Sequence, residues 1–199
     1  AHQVSLLSRR AYIQQIEAPR ISASRQFAKQ LLSSLPFEMT NAQKRVSKEI
    51  VQDLKLNKPM LRLVQGDVGA GKTLVAGVAA CHALEEGWQV ALMAPTEILA
   101  EQHYLNFKKW FEPLGLSVSW LSGKQKGKAR AAAEQAIVDG TAHLVVGTHA
   151  LFQDNVRFAK LGLVIIDEQH RFGVDQRLAL RNKGAQNMTP HQLVMTATP

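Results

Sequence analysis

Apolar positions along the chain fall into two periods. Residues 41–56 carry Val46, Ile50, Val51 and Leu54 at helical spacing, and residues 97–111 carry Leu99, His103, Phe107 and Trp110 in the same way. Residues 74–84 read as a helix stopped by Gly87, and 130–138 as a helix stopped at Gly140. Between them lie short apolar runs of strand length: 61–64, 89–94 (ended by Pro95), 117–121, 144–146, 163–166 and 193–195. A short helix is expected at 175–181. The first 35 residues look different: Leu6, Leu7, Tyr12, Ile13 and Ile16 suggest one helix ended near Pro19, and Phe27, Leu31, Leu32 and Leu35 a second ended by Pro36.

Strands and helices alternate from about residue 40, and several strands are apolar on both faces. That pattern predicts an α/β fold, a three-layer P-loop domain with a mainly parallel sheet. Residues 1–35 are expected to form a helical arm or linker, and 36–199 the domain proper. In such sheets ligands bind at the carboxyl ends of the strands, so chemistry is expected in the segments that follow them.

Composition adds little to this. Hydrophobic residues make up 46% and charged residues 20%, ordinary values for a globular chain. The one cysteine, Cys81, sits in the apolar run Val78-Ala79-Ala80-Cys81 and reads as a core residue, which fits a reducing, cytoplasmic setting. No apolar stretch approaches the roughly 20 residues of a membrane span. The formal net charge of +8 is compatible with a polyanionic partner but does not by itself indicate one.

Two segments carry chemistry. Gly66-Asp67-Val68-Gly69-Ala70-Gly71-Lys72-Thr73 fits G-x-x-x-x-G-K-[ST], with a strand before it and a helix after it. Its backbone N–H groups and the helix N-terminus would face phosphate oxygens, Lys72 would reach the β- and γ-phosphates, and the Thr73 hydroxyl would ligate Mg²⁺. The second segment is an apolar strand ending in two acids, Asp167 and Glu168, followed by Gln169 and His170. Asp167 would hold Mg²⁺ and Glu168 would orient and deprotonate the attacking water. The two together predict an ATP-hydrolysing site.

At this point the residues resemble superfamily 2 helicases, whose second motif is Asp-Glu-x-His. Gln43, after Phe37 and Thr40, is similar to the glutamine motif that reads the adenine edge. Pro95 and Thr96, within residues 94–102, resemble motif Ia, and Gly147, Thr148 and His149 resemble motif Ib; both motifs touch the DNA backbone. Thr196-Ala197-Thr198-Pro199 resembles motif III, which couples hydrolysis to DNA movement, with Gln169 a further candidate for that coupling. His170 would link the acidic box to motif III. The resemblance covers residues 36–199. Within the superfamily, residues 63–69, 121–130 and 167–174 resemble the RecG family of branched-DNA helicases. That resemblance implies remodelling of stalled forks and Holliday junctions, with branched double-stranded DNA as partner and ATP and Mg²⁺ as cofactors. It also implies a second motor domain with an arginine finger, and a wedge domain, outside this chain; the 199 residues then read as a fragment of a monomeric enzyme, inactive in unwinding alone.

Lys124, Lys126, Lys128 and Arg130 crowd the expected start of a helix, where positive charge opposes the helix dipole. A cluster placed there suits phosphate binding, and Thr96, Thr148 and the loop glycines Gly123 and Gly147 would admit a phosphate close to the main chain. The seven histidines are scattered and show no zinc-type grouping. Trp88, Trp110 and Trp120 read as core residues rather than base-stacking platforms. The competing readings are a double-stranded DNA translocase of the transcription-repair coupling type, another superfamily 2 enzyme such as a restriction motor or RNA helicase, and a non-enzymatic, ATP-gated DNA-binding module.

Overall fold

Strands that are apolar at every position can be buried only in a sheet covered on both faces. The computed structural model, which describes residues 16–22, 25–66, 70–153, 155–167, 183–184 and 188–197, has this arrangement. Six strands, β1 (Leu61–Gly66), β2 (Gln89–Met93), β3 (Val118–Leu121), β4 (Leu144–Gly147), β5 (Leu161–Asp167) and β6 (His191–Ala197), form one sheet in the order β1-β6-β5-β2-β4-β3, every pairing parallel. The described helices are α1 (Gln26–Ser34), α2 (Asn41–Leu54), α3 (Ala70–Glu85), α4 (Glu97–Phe111) and α5 (Gly127–Asp139), with two single-turn helices at Glu112–Leu114 and His149–Phe152. The parallel α/β architecture expected from the sequence is borne out. The helix expected at 175–181 and the first helix of the arm lie outside the described residues, apart from Ile16.

Period-two alternation divides the core. Val90, Leu92, Val146, Leu163, Ile165, Leu193 and Met195 face a cluster built with α1 to α4. Ala91, Met93, Val145, Val164, Ile166 and Val194 face Ile137 of α5, together with Leu151 and Val156. α3 is apolar almost all round, and Leu74, Val75, Ala76, Val78, Ala79, Ala80, Cys81 and Ala83 are buried, because it lies between the sheet and the outer helices. Gly77 makes that sandwich possible: a Cβ there would stand 3.2 Å from the Trp110 ring of α4. Gly87 and Gly140, at φ 89° and 79°, follow α3 and α5 in the left-handed region that side chains disfavour.

The segment expected to be an arm is sewn into this core. Ile21 of the extended stretch and Ala28 and Leu31 of α1 are buried within the same cluster as the sheet. The backbone of Ala18 donates to Asn57 O at 2.7 Å, that of Ile21 to Leu54 O at 2.8 Å, and Thr189 donates to Glu17 O at 2.8 Å. β1 is an edge strand with Leu61 and Leu63 exposed; Arg62 ties it to α2 through Asp53 (2.7 Å) and Glu49 (3.0 Å). Both acids hold the Arg62 guanidinium above its ordinary pKa, the hydrogen bond to Asp53 foremost.

Candidate active site

Parallel register brings the strand ends together. Gly66 is level with Ala197, Asp167 with Met195, Ile166 with Met93, and Met93 and Leu121 both with Gly147. All six carboxyl ends therefore lie along one edge, with Gly66 and Asp167 on either side of β6, two strand spacings (about 10 Å) apart across the sheet and two residues out of level along it.

The phosphate loop leaves β1 at Gly66 and enters α3 at Ala70; Asp67, Val68 and Gly69 lie outside the described residues. The first turn of α3 carries no acidic residue, so its N–H groups and the positive end of the helix dipole are left for an anion. The Lys72 stem lies over Gly66, where a Cβ would stand 3.4 Å from its Cγ, and its ammonium donates to the carbonyl oxygen of Thr196 at 2.9 Å. The phosphate-loop lysine and the strand end that resembles motif III are thus joined directly. Thr196 Oγ1 is buried and has no partner among the described residues.

Gln43 is fixed from both sides. Thr40 caps α2, accepting from the Gln43 backbone at 3.1 Å, while Gln43 Oε1 accepts from the Thr40 backbone at 2.9 Å. The remaining end of the amide, Nε2, stands where a Cβ on Gly71 would be only 2.7 Å away. The cap therefore occupies the acceptor and leaves a donor beside the phosphate loop. Phe37 is 48% exposed, an apolar surface available for stacking.

Asp167 ends β5, half-buried, and its Oδ2 lies 2.7 Å from His103 Nε2 on α4. Sequence reasoning missed this partner, because His103 sits among Leu99 and Phe107 at core spacing; a polar ring on an apolar helix face was the available signal. Glu168, Gln169, His170 and Thr198 lie outside the described residues.

The candidate DNA residues continue along the same edge. Thr96 is exposed and caps α4, its hydroxyl accepting from Leu99 N at 3.2 Å; Pro95 is half-buried. The Glu97 carboxylate accepts from Gly123 N at 3.0 Å and Ser122 Oγ at 3.2 Å, which holds the lysine-bearing loop against α4. Lys124, Lys126 and Lys128 are exposed at the start of α5, whose first turn has no acid. Arg130, grouped with them in sequence, is spent inside the protein, donating to Ser122 O (2.9 Å), Glu134 (2.8 Å) and Gln153 (3.0 Å). His149 is exposed and Thr148 buried. At Gly147 a Cβ would meet Leu121 O and Leu151 Cγ at 3.0 Å, so protein atoms fill the space that a phosphate was expected to use.

The tryptophans pack as core residues do: Trp110 against Gly77, Trp120 stacked on Tyr104 at 5.6 Å, and Trp88 beneath the Lys160 ammonium at 4.2 Å. Cys81 is buried and its thiol is pushed up to about 12, chiefly by that burial, so it is not a reactive nucleophile. No helix among the described residues is long and apolar enough to cross a membrane.

A family model for DEAD/DEAH box helicases matches residues 40–199. The chain belongs to the DEAD/DEAH box helicase family. Among members of that family, the ATP-dependent DNA helicases RecG of Escherichia coli O157:H7 and of strain K12 are each 60% identical to it over 200 residues, covering 100% of this chain and 29% of the relative. A solved structure of RecG bound to a three-way DNA junction superposes with a TM-score of 0.84 at 41% identity, covering 99% of this chain and 26% of that one. The chain thus spans about 29% of the length of these curated relatives. The RecG resemblance read from the phosphate loop, the 121–130 segment and the acidic box is borne out.

Proposed function

We propose that this helicase-family chain is the ATP-binding motor domain of a DNA translocase that remodels branched double-stranded DNA. The observation that carries the reading is the Lys72–Thr196 contact on a sheet edge that also holds Asp167. It ties the phosphate-binding lysine to the strand whose end carries the coupling motif. The solved RecG neighbour is described as bound to a three-way DNA junction, which supports branched DNA as the partner class.

In this reading the N–H groups at the start of α3 receive the phosphates, Lys72 leaves Thr196 O for the β- and γ-phosphates, and the amide of Gln43 reads the adenine edge from its place beside Gly71. The Thr73 hydroxyl and the Asp167 carboxylate are hard oxygen donors of the kind magnesium takes, so the residues present fit that ion. Magnesium would draw charge from the γ-phosphate oxygens. Glu168 orients the attacking water, and Thr196 and Thr198 relay the change in phosphate occupancy to the DNA face. That face consists of Pro95, Thr96, Gly123, Lys124, Lys126, Lys128 and His149, with a second motor domain and a wedge domain completing the machine; Gly147 and Thr148, enclosed by protein atoms, support it from behind. Contacts of this type follow the backbone and read no base sequence.

The test is strand separation by the intact protein on a three-way DNA junction, with linear duplex and structured RNA as comparisons. ATP-dependent separation of the junction over the other two is the expected result. Equal action on structured RNA, or separation without ATP, would reject the reading.

A further inference from the structure

Asp167 reaches the sheet edge on the strand, but its carboxylate is held by a different element. The side chains of His103 and Asp167 are 13% and 16% exposed, and the bond between them is 2.7 Å. An ionised carboxylate only accepts, so the imidazole N–H donates. The ring has little freedom: it lies 6.3 Å from the Phe107 ring at 48°, and Phe107 is wholly buried. α4 is in turn clamped to α3 where Trp110 meets Gly77. The imidazole is therefore a fixed donor, and it engages Oδ2, leaving Oδ1 as the oxygen for a metal or its bound water.

We propose that His103 is a positioning residue for the metal site: by holding Oδ2 of Asp167 it sets the orientation from which the carboxylate takes magnesium. The proposal rests on the reading of Asp167 as the metal-holding acid. Outer partners that orient a ligating carboxylate typically contribute about 10- to 100-fold in metal affinity. A purely structural pair would instead contribute to folding and leave metal affinity alone.

The experiment uses the intact protein with H103A, H103Q and D167N. Mn²⁺ binding in the presence of ADP is followed by electron paramagnetic resonance, and nucleotide affinity is measured separately in EDTA. H103A is expected to weaken Mn²⁺ binding about 10-fold with nucleotide affinity in EDTA unchanged. H103Q, whose amide N–H reaches nearly as far as the imidazole, is expected to recover most of the loss. If H103A melts early, H103N, whose amide stops short of Asp167, takes its place. Wild-type Mn²⁺ binding in H103A, equal loss in H103Q, or a parallel loss of nucleotide affinity in EDTA would overturn the proposal. Retained Mn²⁺ binding in D167N would remove the metal reading of Asp167 and this inference with it. Loss in D167N but not in H103A would remove this inference alone.

Discussion

Lys72 Nζ donates to the main-chain carbonyl of Thr196 at 2.9 Å, across 124 residues of sequence. The ammonium has three N–H groups and one of them is on Thr196 O, so phosphate oxygens arriving at Lys72 would share or redirect the group that holds this strand end. The end of β6 is thereby linked to the residue proposed to bind phosphate. Lys72→Ala is expected to lower ATP turnover at least about 100-fold, the scale of losing one preorganised transition-state donor. Its melting temperature should stay near wild type, since a carbonyl can exchange this partner for water. Turnover and melting curves on one preparation check both statements.

Gln43 serves two ends, and substitution can separate them. Gln43→Ala removes the side-chain half of the capping box, the bond from the Thr40 backbone, while Thr40 Oγ1 keeps its own; it is expected to cost about 0.5–1.5 kcal/mol of stability, the net worth of one hydrogen bond, as well as nucleotide affinity. Gln43→Glu keeps an acceptor for the Thr40 backbone, because glutamate completes the same capping box, but removes the donor beside Gly71. It should retain stability and lose discrimination of ATP from GTP. Urea unfolding and competition binding with the two nucleotides decide this.

His191 makes the fold acid-sensitive. Its Nδ1 accepts from the Met60 backbone at 3.0 Å and its Nε2–H donates to Pro19 O at 2.6 Å, so the folded state holds the neutral ring. Burial lowers its pKa, against smaller raising effects of Pro19 O and Asp53. His82 is lowered as well, by burial first and the nearby Arg25 next. As pH falls through about 6.5 the unfolded chain takes up protons that the folded chain refuses until lower pH, so stability present above that value is lost below it. Urea midpoints should drop between about pH 7.5 and about pH 5.5, and the drop should be smaller in His191→Gln. A midpoint independent of pH across that window would contradict the assignment.

The lysine loop and Arg130 should behave differently although they are neighbours in sequence. Removing Lys124, Lys126 and Lys128 together is expected to weaken DNA binding and to flatten the dependence of log K on log salt by about 0.9 for each phosphate no longer neutralised. Arg130→Ala is expected mainly to destabilise the protein, because its guanidinium holds Ser122 O, Glu134 and Gln153. Salt titrations of duplex binding beside melting curves distinguish the two.

Much of the scaffold was legible because each element carries a local signal. The doubly apolar strands foretold a covered sheet, and the spacing of Gly66, Gly71 and Lys72 foretold the phosphate loop. What was not legible depends on partners distant in sequence. Residues 16–22 have no periodicity to mark them, and they are held by the backbones of Leu54, Asn57 and Thr189 and by the ring of His191. His103 looked like one more core position on α4 because nothing local places Asp167 beside it. Gly147 suggested room for a phosphate, but the same missing Cβ serves the packing of Leu121 and Leu151. Arg130 counted as a free cation in sequence and is a structural one in the fold.

The central claim is that one ATP site on this sheet edge drives work on DNA. ATP hydrolysis by the intact protein, with and without a three-way DNA junction, in wild type and Asp167→Asn, tests it most directly. The expected result is turnover that rises on adding the junction in wild type and stays near background in Asp167→Asn under both conditions. Turnover indifferent to DNA, or preserved in Asp167→Asn, would contradict it.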